Sequence, residues 1–208
     1  MRELILLVEN LKQTPVKKTI GNRMKEFEEL GKNSFDEIFK ELCFCFLTAN
    51  FSAEGGMRIQ NSLGSKILFL SEEELANELK KLGHRFPNMR AKFIFEGRKQ
   101  KDELKEIFKS LEDEIKIRDW IVNNIKGIGY KEASHFLRNI GYKKLSIIDF
   151  HIVDLLVRNK IIEKPKTITP KKYLEIENIL NELAKRTNTN LGELDLYLWY
   201  AETGRVLK

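Results

Sequence analysis

Residues 120–138 read Trp120-Ile121-Val122-Asn123-Asn124-Ile125-Lys126-Gly127-Ile128-Gly129-Tyr130-Lys131-Glu132-Ala133-Ser134-His135-Phe136-Leu137-Arg138. A helical pattern of apolar residues leads into Gly127-Ile128-Gly129, and a second helical pattern begins directly after it. Two glycines around one hydrophobic residue permit a tight turn with positive φ, and Ile128 can pack between the two helices. Such a turn exposes backbone N–H groups at the start of the second helix, which is a site for an anion such as a DNA phosphate. A dinucleotide-binding fold would need a preceding strand and a third glycine, and neither is present.

Two side chains near this turn are candidates for chemistry. Lys131 lies in the first turn of the second helix, where the positive end of the helix favours a neutral amine, which is a nucleophile. The alternative for Lys131 is a cation that contacts phosphate. Asp149 follows the apolar pair Ile147-Ile148, at a position that predicts a helix N-cap. Capping alone would explain Asp149, which becomes a catalytic candidate only together with Lys131 and the turn.

Helix signals dominate the rest of the chain and predict an all-α fold of about a dozen short helices. The start signals are two capping boxes, two cap-proline pairs and one further cap: Ser34-x-x-Glu37, Ser71-x-x-Glu74, Thr14-Pro15, Thr169-Pro170 and Asn190-x-x-Glu193. The last of these predicts a helix over about 191–203. Two runs with strand-like character, residues 66–70 and 145–148, are too short and isolated to build a sheet.

The chain of 208 residues carries a net charge of +6, and its basic residues concentrate in two segments, 84–101 and 121–145. This distribution indicates a phosphate-binding face or a solvated basic face with equal weight. No apolar run approaches the ~20 residues that span a bilayer, and the N-terminus lacks the features of a signal peptide. We therefore expect no membrane partner and a cytoplasmic location.

Metal ligands are scarce in the sequence. Cys43 and Cys45 lie in an apolar stretch and are predicted to be buried hydrophobic residues. Together with the three histidines of the chain, they are too few for a zinc or iron–sulfur site. We expect no metal and no organic cofactor.

The turn 127–129, Lys131 two residues after it and Asp149 further on resemble the helix-hairpin-helix DNA glycosylase superfamily. Residues 46–50 resemble the helix end that faces the damaged strand in this superfamily. Three further segments resemble, more specifically, the 8-oxoguanine DNA glycosylase/AP lyases of archaea and some bacteria: 82–86, 125–139 and 197–208. This resemblance implies two helical subdomains with the active-site cleft between them. Residues 31–138 would form the first, including the helix-hairpin-helix at about 115–138, and residues 1–30 with 139–208 the second.

The resemblance also implies a reaction. The enzyme would flip 8-oxoguanine out of double-stranded DNA, and the Lys131 amine would attack the sugar C1′ and expel the base. Asp149 would stabilise the cationic transition state, and the resulting Schiff base would permit β-elimination, which cleaves the strand on the 3′ side. The protein would act as a monomer without a cofactor, although a monovalent cation between hairpin and phosphate stays open.

Roles for other residues follow from the same resemblance. Phe86 and Trp199 would stack on the two faces of the flipped base, and Lys208 would reach into the base pocket. There, the backbone α-carboxylate of Lys208 would accept a hydrogen bond from N7–H of 8-oxoguanine. Guanine has no hydrogen on N7 and could not make this bond. Asn50 would occupy the gap left by the flipped base, and His151 would contact a phosphate. The hairpin would contact the DNA backbone through Lys126, Gly127 and Gly129, whereas His135 would pack between helices.

The sequence departs from the superfamily at two places. The loop 141–148 before Asp149 contains no proline, and the cysteine quartet of the iron–sulfur branch is absent, which excludes the relatives that carry it. Two alternative functions compete with this interpretation. A non-catalytic helix-hairpin-helix DNA-binding module would leave Lys131, Asp149, Phe86 and Trp199 unexplained, and a base-excising enzyme without lyase activity conflicts with a lysine at position 131.

Overall fold

A computed structural model describes residues 1–208, and every regular element in it is helical. The predicted all-α fold is therefore confirmed. None of the helices has the length and apolar character needed to cross a membrane. The α-helices are α1 (Arg2–Lys12), α2 (Val16–Gly31), α3 (Phe35–Thr48), α4 (Ala53–Leu63), α5 (Glu72–Lys81), α6 (Pro87–Lys99), α7 (Lys101–Ser110), α8 (Glu114–Asn124), α9 (Tyr130–Asn139), α10 (Phe150–Arg158), α11 (Pro170–Arg186) and α12 (Leu191–Thr203), with one 3₁₀ turn (Gly64–Leu68) after α4.

The buried apolar residues form two separate clusters. Core 1 contains 25 buried residues between Ile38 and Leu145, from α3 to the end of α9 and beyond. Core 2 contains 21 buried residues, which come from Leu4–Phe27 and from Ile148–Leu198. The two cores support the predicted division into subdomains, which stays a prediction. The packing of Ile140 and Leu145 in core 1 extends past the predicted boundary at residue 138.

The two parts of the chain that flank core 1 meet where α2 and α9 end. Gly31, the last residue of α2, lies so close to the Ile140 carbonyl that a Cβ atom at position 31 would be 2.1 Å from its oxygen. Only a residue without a side chain permits this approach. The chain therefore leaves core 2 and returns to it at neighbouring points.

Three of the predicted helix starts are formed by side-chain caps. Ser71 and Glu74 make a complete capping box at α5, and Thr169 and Asn190 accept backbone N–H groups at α11 and α12. The helix predicted over 191–203 is confirmed at both ends.

Two predicted starts are wrong in detail. Ser34 is the N-cap of α3 but makes no side-chain cap, and the Glu37 carboxylate pairs with Lys40 Nζ at 2.5 Å instead of returning to the helix start, so neither bond of the capping box is formed. The Thr14 hydroxyl donates to the Leu11 carbonyl at 2.7 Å, so it completes the end of α1 and does not cap α2.

The hairpin between α8 and α9 has one glycine, rather than two, in the left-handed region. Gly127 has φ 91°, whereas Gly129 is extended at φ −101° and ψ −173°, so the positive φ predicted at Gly129 is wrong. A Cβ atom on Gly127 would also lie 2.5 Å from the Phe93 ring. Ile128 is buried in core 1, as predicted.

The loop 141–148 takes its shape from buried side chains instead of proline. The Ser146 N–H donates to Glu177 Oε1 at 2.9 Å, and the Tyr173 hydroxyl donates to the Ser146 carbonyl at 2.6 Å. Glu177 is in turn held by both terminal nitrogens of Arg118, at 2.6 and 2.8 Å. Helices α8 and α11 therefore fix the chain that leads into α10.

Candidate active site

One large cavity, of about 750 Å³, is lined by residues of both sequence regions that form the cores. Its walls come from the end of α3 and the start of α4, from α9, from the start of α10, and from α12 with the segment after it. Six of the predicted site residues line it: Asn50, Lys131, Asp149, His151, Trp199 and Lys208.

Lys131 is the second residue of α9 and faces the cavity. Its side chain is 26% exposed, and Nζ lies 3.8 Å from Glu132 Oε1, which is longer than a hydrogen bond. The N-cap of α9 is Gly129, which has no side chain to cap the helix, and the backbone ladder begins with the Ala133 N–H bonded to the Gly129 carbonyl at 2.9 Å. The amine is therefore accessible at the uncapped, positive end of a helix.

Asp149 is the N-cap of α10, as predicted. Its Oδ1 accepts the Ile152 N–H at 3.0 Å, and no protein group donates to its second oxygen. One carboxylate oxygen thus stabilises the helix while the other is left for the cavity, where Lys131 also lies.

Aromatic rings form the wall of the cavity beside Asp149. Trp199 packs edge-on against His151 at a centroid distance of 5.0 Å, and its buried Nε1–H has no partner in the protein. The ring of Phe150, the first residue of α10, lies 4.0 Å from the His151 ring and is 67% exposed. These flat apolar surfaces are suited to stacking on a base.

Sequence reasoning missed a pair of charged side chains in the same cavity. Arg138 Nη1 donates to Asp195 Oδ2 at 2.6 Å, and both side chains are largely buried. Desolvation raises the pKa of Asp195 to about 6, although Arg138 acts in the opposite direction. The available signal was a carboxylate between Leu194 and Leu196 in the first part of α12, where most residues are buried.

His135 lies deeper in the wall, on α9. It is buried and contacts the Phe44 ring edge-on at 5.7 Å, which agrees with its predicted packing between helices. Burial lowers the pKa of His135 well below its ordinary value, so the ring is neutral near pH 7.

Four predicted contact residues do not line the cavity. Phe86 is half-buried at the start of α6, where its backbone N–H donates to His84 Nδ1 at 3.0 Å. Lys126, Gly127 and Gly129 lie in the hairpin, and the Lys126 side chain is exposed and forms no ion pair with the protein. Their position leaves them available to DNA outside the cavity.

Several members of the two basic segments serve the fold. The Arg90 guanidinium donates to the Ala49 carbonyl at the end of α3, and Arg98 donates to the Ile67 and Leu70 carbonyls. Lys92, Arg85 and Lys126 remain exposed without ion pairs. The basic surplus available for DNA is thus smaller than the sequence count indicates.

Both cysteines are free and buried, as predicted, and burial raises the pKa of Cys43 to about 12. No group of three or more His, Cys, Asp or Glu side chains is placed to hold a metal ion.

An all-α fold with a helical hairpin beside a cavity that contains a lysine and a capping aspartate defines the helix-hairpin-helix class of DNA glycosylases. The family model Ogg-HhH, described as 8-oxoguanine DNA glycosylase, matches residues 20–189. The chain belongs to this family.

Similar proteins extend over nearly the whole chain. An 8-oxoguanine DNA glycosylase/AP lyase of Korarchaeum cryptofilum is 58% identical over 99% of this chain and 98% of its own length. The crystal structure of the Methanocaldococcus jannaschii 8-oxoguanine glycosylase/lyase in complex with 15mer DNA containing 8-oxoguanine superposes with a TM-score of 0.96 at 52% identity, covering 99% of this chain and 100% of that one. The 8-oxoguanine DNA glycosylase of Thermotoga maritima gives a TM-score of 0.93 at 44% identity, covering 100% and 99%.

Proposed function

We propose that this chain is a bifunctional 8-oxoguanine DNA glycosylase/AP lyase, which excises 8-oxoguanine from double-stranded DNA and then cleaves the strand. The carrying observation is that Lys131, at a helix start, and Asp149, with a free carboxylate oxygen, line one cavity. Relatives at 40–58% identity carry this same name over nearly their full lengths. A monomer in the cytoplasm is the expected working form.

Base release begins when the target nucleotide turns out of the duplex into the cavity. The Lys131 amine attacks C1′, and the bond from C1′ to the base breaks with its electron pair leaving on the base. Positive charge develops on the sugar, and the Asp149 carboxylate stabilises it. The same carboxylate orients the amine or accepts its proton.

Strand cleavage uses the covalent product of the first step. The sugar ring opens to give a Schiff base between C1′ and Lys131 Nζ, and this makes the C2′ proton acidic. Loss of that proton expels the phosphate on the 3′ side, which breaks the strand by β-elimination. Asp149, which lines the cavity, is the group that we propose accepts this proton.

Recognition would use the walls of the cavity and the hairpin. Trp199 stacks on one face of the base and Lys208 contacts its edge, while Phe86, which does not line the cavity, is the expected partner on the other face. Asn50, which has φ 56° just after α3, enters the gap in the duplex. His151 and the hairpin residues Lys126, Gly127 and Gly129 contact phosphates.

The non-catalytic binding module accounts for the hairpin but for none of the groups in the cavity. Membership of a glycosylase family also argues against it. A base-excising enzyme without lyase activity would have no use for the accessible amine of Lys131. An enzyme with both glycosylase and lyase activity accounts for the hairpin and for the groups that line the cavity.

Lys131→Gln tests the proposal directly. The variant should bind duplex DNA as the wild type does, because the amide keeps the size of the side chain. It should release no 8-oxoguanine and cleave no strand, because the amide cannot form a Schiff base. The measurement is borohydride trapping and gel electrophoresis on a duplex that contains 8-oxoguanine. An adduct with the wild type and none with the variant is expected, whereas base release by the variant would refute the assignment.

A further inference from the structure

A lysine–glutamate pair joins the two cores at the wall of the cavity. Lys208 follows α12, yet its Nζ donates to Glu41 Oε2 on α3 at 2.8 Å and to Gln60 Oε1 on α4 at 2.6 Å. The ammonium also lies 4.3 Å from the centroid of the Phe44 ring. These contacts place the Lys208 side chain against core 1, although the helix before it belongs to core 2.

Glu41 is a carboxylate in an apolar setting, only 2% exposed. Burying such a group is unfavourable unless it is paired and hydrogen-bonded. Its Oε1 accepts from Asn139 Nδ2 at 2.7 Å, and its Oε2 accepts from Lys208 and, at 3.3 Å, from Gln60. The two amides are neutral, so Lys208 is the one cation bonded to this carboxylate.

The segment 204–208 crosses from one core to the other. Gly204, at φ 70°, ends α12 in the left-handed region, and Val206 packs on core 2. Arg205 pairs with Glu54 at the surface, and the side chain of Lys208 reaches Glu41. Arg205, Leu207 and Lys208 all line the cavity, so the segment forms one of its walls.

We infer that Glu41 is a positioning residue for base excision, which fixes the segment 204–208 as a wall of the base cavity through its bond to Lys208. The inference rests on the proposed function. Glu41 does not line the cavity, so it acts through Lys208. An abasic site has no base to hold, so Glu41 matters for base release and not for strand cleavage at an abasic site formed beforehand.

Glu41→Gln separates these two steps. Glutamine keeps the size of the side chain and can still accept from Asn139, but it presents an amide to the Lys208 ammonium. Single-turnover excision of 8-oxoguanine should slow about tenfold, since a charged partner is lost. Cleavage of a duplex with a preformed abasic site should stay within about twofold of the wild type.

Glu37→Gln is the matched control. Glu37 lies one turn earlier on α3, pairs with Lys40 and makes no contact with the segment 204–208. Both activities of this variant should equal those of the wild type.

A double-substitution cycle tests whether Glu41 acts through Lys208. The double variant with Glu41→Gln and Lys208→Met should excise 8-oxoguanine no more slowly than Lys208→Met alone. The reason is that each substitution breaks the same contact, between Glu41 and Lys208. Trypsin should cleave after Arg205 faster in each single variant than in the wild type, because the segment is released from core 1.

The inference fails if the effects of Glu41→Gln and Lys208→Met on the excision rate multiply in the double variant. It also fails if cleavage at the abasic site falls by the same factor as excision, or if trypsin cleaves all the variants at the wild-type rate. Should Glu41→Gln not fold, Gln60→Leu replaces it, because it removes the other acceptor of Lys208 and should give the same split between the two activities. A wild-type protein that releases no 8-oxoguanine would contradict the proposed function, whereas unchanged trypsin cleavage would contradict this inference alone.

Discussion

Asp149 has a structural and a chemical role, and substitution can separate them. Asparagine keeps an oxygen for the Ile152 N–H, so Asp149→Asn should fold with nearly unchanged stability while the reaction slows by orders of magnitude. Asp149→Ala should also lose the cap, at about 1 kcal/mol of unfolding free energy. Thermal unfolding and single-turnover excision, measured on both variants, distinguish the roles. Normal turnover by Asp149→Asn would reduce Asp149 to a helix cap.

Asp195 should make stability depend on pH. Desolvation raises the pKa of this carboxyl to about 6 in the folded protein, so the fold favours its protonated form. Its contribution to stability is therefore present at low pH and is lost as pH rises through about 6. Asp195→Asn can still accept from Arg138 but cannot titrate.

The measurement is the free energy of unfolding of both proteins by denaturant. The advantage of the wild type over Asp195→Asn should shrink by about 1–3 kcal/mol between about pH 4 and pH 7. A difference that stays constant over this range would show that Asp195 is charged throughout, with Arg138 outweighing its desolvation.

At the scale of the element, the two glycines of the hairpin should respond differently to substitution. Gly127→Val should destabilise the protein by at least about 1–3 kcal/mol, because φ is 91° and the Phe93 ring occupies the space of a Cβ atom. Gly129→Val meets only Glu132 Oε2, at 3.7 Å, and its backbone is extended, so the fold should tolerate it.

Gly129→Val should nevertheless weaken binding to damaged and undamaged duplexes alike, because the side chain would keep a phosphate from the backbone N–H groups. Unfolding experiments and binding titrations at one salt concentration check both variants. A loss of affinity confined to the damaged duplex would place Gly129 in the base pocket instead of the hairpin contact.

The helical elements could be predicted because capping and apolar periodicity are local. Ser71, Thr169 and Asn190 cap helices as the sequence indicates. Ser34 and Thr14 do not: Glu37 pairs with Lys40 instead of closing the box with Ser34, and the Thr14 hydroxyl donates to the Leu11 carbonyl. Several acceptors lie within reach of one short side chain, and local sequence does not say which one it bonds.

The candidate site could be predicted only in part. Lys131 and Asp149 were found because a turn and a cap mark their positions in the sequence. Glu41 and Asp195 were missed because their partners, Lys208 and Arg138, lie 167 and 57 residues away along the chain. Pairs of this kind are created by the packing of distant helices, and one sequence carries no record of them.

At the scale of the molecule, the buried pair Arg118–Glu177 links α8 to α11 and so holds the cores together. Arg118 is fully buried, so Glu177→Leu should destabilise the protein by about 3–5 kcal/mol by leaving that guanidinium unpaired. Arg118→Met combined with Glu177→Leu should be clearly more stable than the two single losses added together.

Glu182→Leu is the control on the same helix. Glu182 pairs with Lys185 at an exposed position, so its loss should leave the free energy of unfolding nearly unchanged. Denaturant unfolding of the four variants gives the comparison. Strictly additive losses for Arg118 and Glu177 would show that the pair contributes no coupling between α8 and α11.

Core 2 is built from two segments that all of core 1 separates, and this has a consequence for how the chain acquires its structure. During synthesis, α1 and α2 leave the ribosome long before α10, α11 and α12. Leu4 and Val8 therefore stay exposed to solvent until the helices that bury them have been made. Core 1 is continuous in sequence, so its apolar residues are all synthesised before α10, α11 and α12. Once closed, it brings Gly31 beside Ile140 and thereby shortens the loop that the later contacts must bridge. The helices of core 1 thus bring together the N-terminal and C-terminal segments that form core 2.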